Sequence, residues 1–284
     1  MYKKAILLVV SFLFLIGISS KAQQIESFYH SAEFGVSVGA AHYFGDLNPS
    51  NNFIPGLRPK LSAGIFVSKQ LSDYIAIKAS GSYAFLGYSD TYSKYSAYRS
   101  RNLSFNTHLW EVAVQGTFHF FRFVPTYPEH RFTPYVSLGV GLFTYNPYAF
   151  FRGNKYYLRN IGTEGQQNSL ISGVQPYSRV ALSFPLSIGV KYALNSKMNV
   201  FSELCFRFTN TDYLDDVSGV YAHNAFNANS IGYLLQDRSF EVSNNGQNLF
   251  STGKQRGNST QKDAFVTMQV GISFNIQSYR CPTF

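Results

Sequence analysis

The stretch VALSFPLSIGVK at residues 180–191 decides the fold of this chain. Every second residue from Val180 to Val190 is large and apolar, and the residues between them are small or polar, ending in Lys191. Side chains of a β-strand point alternately to its two faces, so this stretch predicts a strand with one apolar face. The small second face suits the crowded interior of a narrow barrel.

Seven further segments repeat this alternation, and an even count of eight is typical of bacterial transmembrane barrels. The eight segments are 34–41, 60–68, 75–82, 110–120, 136–142, 180–191, 199–208 and 266–275. We therefore predict an all-β fold, an eight-stranded antiparallel transmembrane β-barrel. A soluble β-sandwich also alternates, but it would display a charged exterior, which these segments lack.

The first 22 residues predict a secretory signal peptide. Lys3 and Lys4 precede an apolar run over residues 5–18, and small residues lead to a cleavage site after Ala22, which is the arrangement of such peptides. The chain then divides into a signal peptide (1–22), an outer-membrane barrel (23–276) and a periplasmic tail (277–284). An exported chain meets no genome, so we expect no nucleic-acid partner.

Composition also favours a wall in contact with lipid. Aromatic residues make up 17% of the sequence and charged residues only 14%, below the roughly 25% charge of soluble domains. The formal net charge of +9 falls to +6 when three lysines leave with the signal peptide, which suits anionic lipid head groups. No later apolar segment reaches 18 residues, which excludes a helical inner-membrane protein.

Connection lengths predict the orientation. Short turns near residues 70–72, 122–131 and 195–197 alternate with long connections at 45–60, 88–103, 146–178 and 211–262. Short turns of such barrels face the periplasm and long loops face outside, so both termini are expected in the periplasm. Aromatic residues near the strand ends are expected at the membrane interface. They are Tyr43, Phe44, Tyr83, Phe85, Tyr88, Phe120, Phe121, Phe143 and Tyr145.

Five charged residues fall on the small or polar faces and are expected to face the lumen. They are Lys78, Glu111, Lys191, Glu203 and Arg207. An ion pathway is one hypothesis. Because both signs occur in an interior that eight strands leave just wide enough for side chains, we favour mutual pairing with a structural role.

Histidines and one acidic stretch are the candidates for chemistry. His42 and His108 lie near the predicted outer ends of strands, and His223 lies in the longest connection near the acids of 212–216. Their spacing matches no known catalytic motif, and 212–216 lacks the residue order of a calcium loop. We expect no catalytic residue, no metal, no cofactor and no enzymatic activity.

The two cysteines have different expected environments. Cys205 falls on the lumen face of a strand, whereas Cys281 belongs to the tail after the last strand. The periplasm is oxidising, so Cys281 is a candidate for an intermolecular disulfide with a partner, although an unreactive thiol is equally consistent with the sequence.

Several stretches resemble the PorG-like outer-membrane barrels of the type IX secretion system. AEFGVSVG at 32–39, running into YFGDL at 43–47, carries most of the resemblance, and FTPYV at 132–136, GVG at 139–141 and TDYLDDVS at 211–218 add to it. The resemblance implies a multi-protein complex in which the barrel contacts the periplasmic ring of the PorK lipoprotein and PorN. That ring serves the export of proteins with a C-terminal signal.

Taken with the predicted barrel, the resemblance implies a protein that anchors the PorK/PorN ring to the cell outer membrane. Two other functions remain open. A small adhesin or surface-binding barrel, similar to OmpA or OmpX, would use loops 146–178 and 211–262, whose Tyr, Asn, Gly and Ser suit adaptable contacts. A lipid A hydrolase is the enzyme-class hypothesis.

Overall fold

The computed structural model describes residues 32–48, 58–168 and 172–276. The predicted signal peptide and the predicted tail, which contains Cys281, lie outside the described residues.

Eight long strands form the wall of the molecule. Their bounds are β1 (Ala32–Phe44), β2 (Lys60–Gln70), β3 (Ile75–Ser89), β4 (Ser104–His119), β5 (Phe132–Thr144), β8 (Val180–Ala193), β9 (Met198–Thr209) and β10 (Ala264–Ile276). Each strand pairs with its two neighbours antiparallel, in the order β3-β2-β1-β10-β9-β8-β5-β4. The strand β4 pairs back onto β3 from Ile75↔Phe118 to Ser89↔Ser104, which closes the sheet. The predicted eight-stranded antiparallel barrel is confirmed.

The outer face of this wall is apolar. Trp110 is 63% exposed, Val112 70% and Leu138 63%, and similar residues face outward on the other strands. A band of this kind is stable only against hydrocarbon, and a closed barrel leaves no backbone group of the wall unpaired there. The alternation seen in the sequence therefore places the apolar side chains towards lipid.

The two ends of the barrel differ in their connections. Residues 71–74, 120–131 and 194–197 connect strands at one end, here called the turn end. The connections 45–59, 90–103, 145–179 and 210–263 lie at the other end, here called the loop end. Because Ala32 pairs with Ile276, the chain enters β1 and leaves β10 at the turn end.

The long connections contain short elements of their own. The hairpin of β6 (Tyr148–Phe151) and β7 (Asn154–Tyr157) joins the edge of β4 through Asn106↔Tyr148. The helices are α1 (Ser96–Arg101), α2 (Leu158–Ile161) and α3 (Ile231–Gln236), with 3₁₀ turns at Asp90–Tyr92, Pro128–His130, Gln166–Asn168, His223–Ala225 and Ser239–Glu241. None of the described helices is long and apolar enough to cross a membrane.

The described residues of the four long connections pack into a unit that we call the loop cap. Its apolar core continues that of the barrel and includes Leu47, Leu103, Leu158, Leu214 and Leu235, each 4% exposed or less. The loop end is therefore filled by packed side chains.

Four of the aromatic residues expected at the membrane interface belong to this core, so that prediction is wrong for them. Tyr43, Tyr88, Phe143 and Tyr145 are 1–4% exposed. The first three fall on the alternate positions of their strands that face the interior. Tyr145 directly follows β5. Their rings fill the loop end of the interior, where burial of a large aromatic surface is favourable.

Three inward glycines make room for aromatic rings on the neighbouring strand. Gly189 pairs with Tyr135, and a Cβ at Gly189 would lie 2.5 Å from the Tyr135 ring. The pairs Gly35↔Phe66 and Gly271↔Phe201 repeat this arrangement. Aromatic side chains are known to cover glycines in this way and to fix strand register. The small residues of the lumen face are thus sites onto which large side chains fold.

Candidate functional site: the barrel interior and the loop cap

Three ion pairs follow one another along the barrel axis. Nearest the turn end, Lys191 Nζ donates to Glu33 Oε2 over 2.7 Å. Lys78 Nζ donates to Glu203 Oε2, also over 2.7 Å. Nearest the loop end, Arg207 Nε donates to Glu111 Oε2 over 2.5 Å. The five predicted charges thus all lie in the interior, each with a partner of opposite sign.

Each of these ion pairs crosses the lumen. Glu33 lies on β1 and Lys191 on β8, with β10 and β9 between them, and the other two pairs are separated by at least two strands as well. A buried pair is costly to break, because removal of one partner leaves an uncompensated charge. The pairs therefore hold opposite walls at fixed distances.

The carboxylates of these ion pairs also accept hydrogen bonds from neighbouring hydroxyl groups. Ser183 Oγ donates to Glu111 Oε1 over 2.6 Å, and Tyr135 Oη donates to Glu203 Oε2 over 2.9 Å. The cavity that remains in the middle of the interior is about 40 Å³. That volume accommodates a few water molecules, so the interior is too full for a polypeptide or a diffusing solute.

Sequence analysis did not identify Glu33 as a lumen charge. The signal was available, because Glu33 has the parity of Gly35 and Ser37 on the inward face of β1. Glu33 also accepts a hydrogen bond from Asn199 Nδ2 over 3.3 Å and one from the Ser273 hydroxyl. Together with its ion pair to Lys191, these bonds link β1 to β8, β9 and β10 at the turn end.

Arg101 connects three of the four long connections of the loop cap. Its Nε and Nη2 donate to the two carboxylate oxygens of Asp90 over 2.8 and 2.7 Å. Its Nη1 donates to the Arg256 carbonyl oxygen over 2.7 Å, and Nη2 to the Asp46 carbonyl oxygen over 2.9 Å. Planar guanidinium groups suit such multiple contacts, and here the bonds hold the connections against one another.

Arg256 lies at the centre of the loop cap and is 3% exposed. Its Nη1 donates to Glu164 Oε1 over 3.0 Å and to the Asp216 carbonyl oxygen over 2.6 Å. Its Nε donates to the Gln236 carbonyl oxygen over 3.1 Å. Glu164 also accepts the backbone N–H groups of Ser218 and Gly219. One arginine thus joins distant parts of the two longest connections.

Two of the stretches that carry the PorG resemblance contact each other at the loop end. Tyr43 Oη donates to Asp215 Oδ2 over 2.5 Å and is 2.9 Å from Asp263 Oδ1. The backbone N–H of Leu47 also donates to Asp215 Oδ2, over 3.3 Å. The motifs at 43–47 and 211–218 therefore attach the longest connection to β1.

The loop cap buries more carboxyl groups than positively charged groups. Burial raises the pKa values of several of these carboxyl groups. Burial raises the pKa of Asp216 to about 7, although Arg256 opposes the rise. Burial raises the pKa of Asp212 to about 6. Asp215 and Asp263 have pKa values well above the usual range because of burial and of neighbouring carboxylates. The protonation states of Asp216 and Asp212 can therefore change near neutral pH.

The candidate histidines have separate surroundings. His42 contacts Asn48 Nδ2 over 3.0 Å and accepts the Arg58 N–H. The two ring nitrogens of His108 face tyrosine hydroxyl groups, and His223 Nε2 is 3.3 Å from Asp237 Oδ2. Among the residues described, none of the three is hydrogen-bonded to a serine, and no group of three or more His, Cys, Asp or Glu is arranged to hold a metal ion.

The acids of 212–216 are used within the cap. Asp212 accepts a hydrogen bond from the Ser218 hydroxyl, and Asp216 accepts hydrogen bonds from the Thr163 and Tyr177 hydroxyls. These side chains stabilise the interior that they occupy.

Cys205 is buried in the interior as a free thiol.

A family model matches residues 5–244, and its description is Domain of unknown function, DUF6089. The chain belongs to this family. The match covers β1 to β9, whereas β10 of this DUF6089 chain lies after it. No curated protein matches the chain.

Three outer-membrane proteins are among the similar solved structures. The N-terminal β-barrel domain of Pseudomonas aeruginosa OprF is 11% identical with a TM-score of 0.37, and the match covers 87% of this chain and 98% of that one. Neisserial surface protein A is 8% identical, with a TM-score of 0.42 and coverage of 86% and 97%. Ail of Yersinia pestis is 8% identical, with a TM-score of 0.41 and coverage of 88% and 100%.

The strand register and the apolar wall of the DUF6089 chain identify its environment. A closed antiparallel barrel with lipid-facing apolar residues and a filled interior is an outer-membrane barrel protein. Its interior is crossed by ion pairs, and its loop cap is filled by packed side chains.

Proposed function

We propose that this DUF6089 chain is a non-enzymatic component of the type IX secretion machinery that anchors the periplasmic PorK/PorN ring to the outer membrane. The observation that carries the proposal is the filled interior, where three ion pairs cross the lumen and about 40 Å³ remains. A barrel without a passage through its lumen acts by contacts that its outer wall and its two ends make with other molecules.

The resemblance at 32–39 and 43–47 supplies the identity of the ring. Residues 43–47 are engaged with the loop cap, so this motif supports the shape of the barrel and is not a free surface. The partner contact is therefore assigned to the turn end, which faces the periplasm in the proposed orientation, with both termini on that side.

The turn end offers a surface for such a contact. Leu71, Tyr74, Phe121 and Tyr127 are 44–57% exposed there. Apolar and aromatic side chains at the edge of a wall suit burial against a protein partner. The tail that follows β10 leaves from the same end.

A covalent contact in this proposal uses Cys281 of the tail. Cys205 is 3% exposed inside the barrel, so its thiol is inaccessible to a partner protein. The two cysteines therefore form a matched pair for an experiment, because one tests the proposed contact and the other controls for loss of a thiol.

The experiment compares outer membranes that carry the native chain, Cys281→Ala or Cys205→Ala on non-reducing and reducing gels. The proposal expects a reducible adduct to a ring lipoprotein in the native chain and in Cys205→Ala, lost in Cys281→Ala, with ring proteins identified by mass spectrometry. Absence of an adduct together with absence of co-purifying ring proteins would reject ring anchoring.

A surface-binding function is the second candidate, because the loop cap exposes apolar residues. Tyr92, Tyr95, Val242 and Leu249 are 49–53% exposed. Truncation of the loops would also remove core residues, so substitution of these four by Ser is the cleaner test. An adhesin would lose binding to its target surface, whereas a ring anchor would retain its co-purifying proteins.

A further inference from the structure

A row of aromatic rings between two lysines lies near the loop end, with the exposed His108 on the outer face of the barrel and the buried Tyr148 beneath Lys155. The ring row consists of Phe85, His108 and Tyr148, with ring centroids 4.8 and 5.8 Å apart and planes within 20° of parallel. Lys60 Nζ lies 4.3 Å from the Phe85 centroid, and Lys155 Nζ lies 3.7 Å from the Tyr148 centroid. The row thus has an ammonium group at each end.

Neither ammonium group is neutralised by a carboxylate in the described part of the chain. Lys60 Nζ donates to Asn106 Oδ1 over 2.8 Å, and Lys155 is exposed with Tyr148 and Tyr157 as its ring contacts. Ring faces attract a cation but leave its charge uncompensated. This surface therefore attracts anions, in contrast to the paired charges of the lumen.

Hydrogen bonds hold the ring row in place. Tyr83 Oη lies 2.7 Å from His108 Nδ1, and Tyr148 Oη lies 3.3 Å from His108 Nε2. The strand register also places Phe85 directly opposite His108. The cations are consequently presented on a preformed surface, which lowers the entropic cost of binding.

The wall next to the row is apolar. Towards the turn end, Trp110 and Val112 are the next outward residues of β4 after His108, and they are 63% and 70% exposed. An occupant of this site meets cations at the loop end and hydrocarbon along the wall. That combination fits a lipid with an anionic head group.

We propose that the ring row with Lys60 and Lys155 binds the phosphate-bearing head group of a lipopolysaccharide molecule, with the acyl chains along β3 and β4. Two separated ammonium groups suit a head group with more than one phosphate. The choice of this lipid rests on the proposed orientation, since lipopolysaccharide forms the outer leaflet that loops facing outside would adjoin.

Trp110 is the single tryptophan of the chain, and its ring centroid is 4.9 Å from that of Tyr83. Its fluorescence therefore reports on the site. The experiment titrates the purified barrel in zwitterionic micelles with bisphosphorylated lipid A and compares the native chain with Lys60→Gln/Lys155→Gln. The matched control is Lys69→Gln/Lys197→Gln, which removes two exposed lysines at the turn end.

The proposal expects affinity for lipid A to fall about 30-fold in Lys60→Gln/Lys155→Gln, since each lysine near an anionic lipid surface contributes about fivefold. The control variant and the native chain should bind equally. Dephosphorylated lipid A should bind as weakly as the variant does, and inorganic phosphate should not compete at equal concentration.

An equal loss in the control variant, or unchanged affinity after dephosphorylation, would overturn the proposal. Equal affinity for phosphatidylglycerol would overturn the assignment to lipopolysaccharide in favour of a phospholipid. The titration uses purified protein, so its result is independent of whether the ring adduct forms. Failure of ring anchoring and failure of lipid A binding can therefore be distinguished.

Discussion

The lumen and the loop cap hold buried charges in opposite ways. In the lumen, three acids and three bases form pairs 2.5–2.7 Å long. In the described part of the loop cap, seven acids and two arginines are buried, and burial raises the pKa of several of these acids. Charge balance makes the lumen a fixed support, whereas the acid excess makes the cap responsive to pH.

The largest expected effect is the loss of one lumen partner. Glu111→Gln leaves the Arg207 guanidinium buried without its counter-charge, and we expect the free energy of unfolding to fall by about 3–5 kcal/mol. Urea unfolding of the refolded barrel in lipid vesicles measures this loss. The double variant Glu111→Gln/Arg207→Met should regain much of it, and Glu129→Gln on an exposed turn should change little. Equal stability of the single and double variants would show that charge balance does not matter there.

The next effect concerns the cap alone. Arg256→Gln removes the cation beside Glu164 and Asp216, so the cap should open locally while the wall stays folded. Limited proteolysis should cleave residues 210–263 at least tenfold faster, with circular dichroism of the barrel unchanged. Lys254→Gln, an exposed neighbour, is the matched control. Global unfolding in Arg256→Gln would mean that cap and wall form one cooperative unit.

The pH dependence of the cap follows from Asp216. Its pKa in the closed cap, about 7, exceeds the usual value near 3.9, so the closed state binds a proton more tightly than the open state. Stability of the closed cap therefore falls as pH rises from about 4 to about 7, by about tenfold in the opening equilibrium per pH unit. Above that range the contribution of Asp216 is constant.

Hydrogen exchange of the cap amides, corrected for the intrinsic rate at each pH, measures this opening. Asp216→Asn should make the profile shallower between about pH 4 and about pH 7, because the other buried acids still titrate, while Asp73→Asn at the turn end should leave it as in the native chain. A profile that Asp216→Asn does not alter would assign the dependence to the other buried acids. Exchange in the wall strands should not vary in the same way.

The smallest effect is steric. Gly189→Ala places a Cβ within 2.6 Å of both the Tyr135 ring and the Ser202 carbonyl oxygen, and overpacking of this kind costs about 1–3 kcal/mol. Gly116 faces outward, and a Cβ there would have its nearest neighbour at 4.0 Å. Gly116→Ala should therefore leave the urea midpoint unchanged. Equal midpoints for both variants would mean that Tyr135 can move without loss of its bond to Glu203.

The alternation of apolar and small residues along each segment was sufficient to predict the wall. In a strand, odd and even positions face opposite sides, so a residue's position in the alternation decides its face. The same parity could have located Tyr43 and Glu33, since both share the inward face of β1 with Ser37. Proximity of Tyr43 to a strand end suggested a membrane interface instead. Whether a residue faces inward or outward thus depends on its place in the alternation and not on its distance from the end of the strand.

The contacts of the interior could not be predicted from local sequence. Glu33 and Lys191 are 158 positions apart, and Arg256 and Glu164 are 92 apart. Which charges meet depends on strand stagger and on loop packing, neither of which is encoded in a short window. The ring row is another such case. The β6–β7 hairpin places Tyr148 and Lys155 beside Phe85 of β3 and His108 of β4, which are distant in sequence.

Pairing of the first strand with the last has a consequence for assembly. The seam between β1 and β10 joins Ala32 to Ile276, so it forms only after the whole wall has been exported. Until then β1 and β9 present open hydrogen-bonding edges, which invite pairing with other chains. A chain that lacks β10 would therefore leave β1 and β9 unpaired on one side, and it would remain an open sheet prone to aggregation.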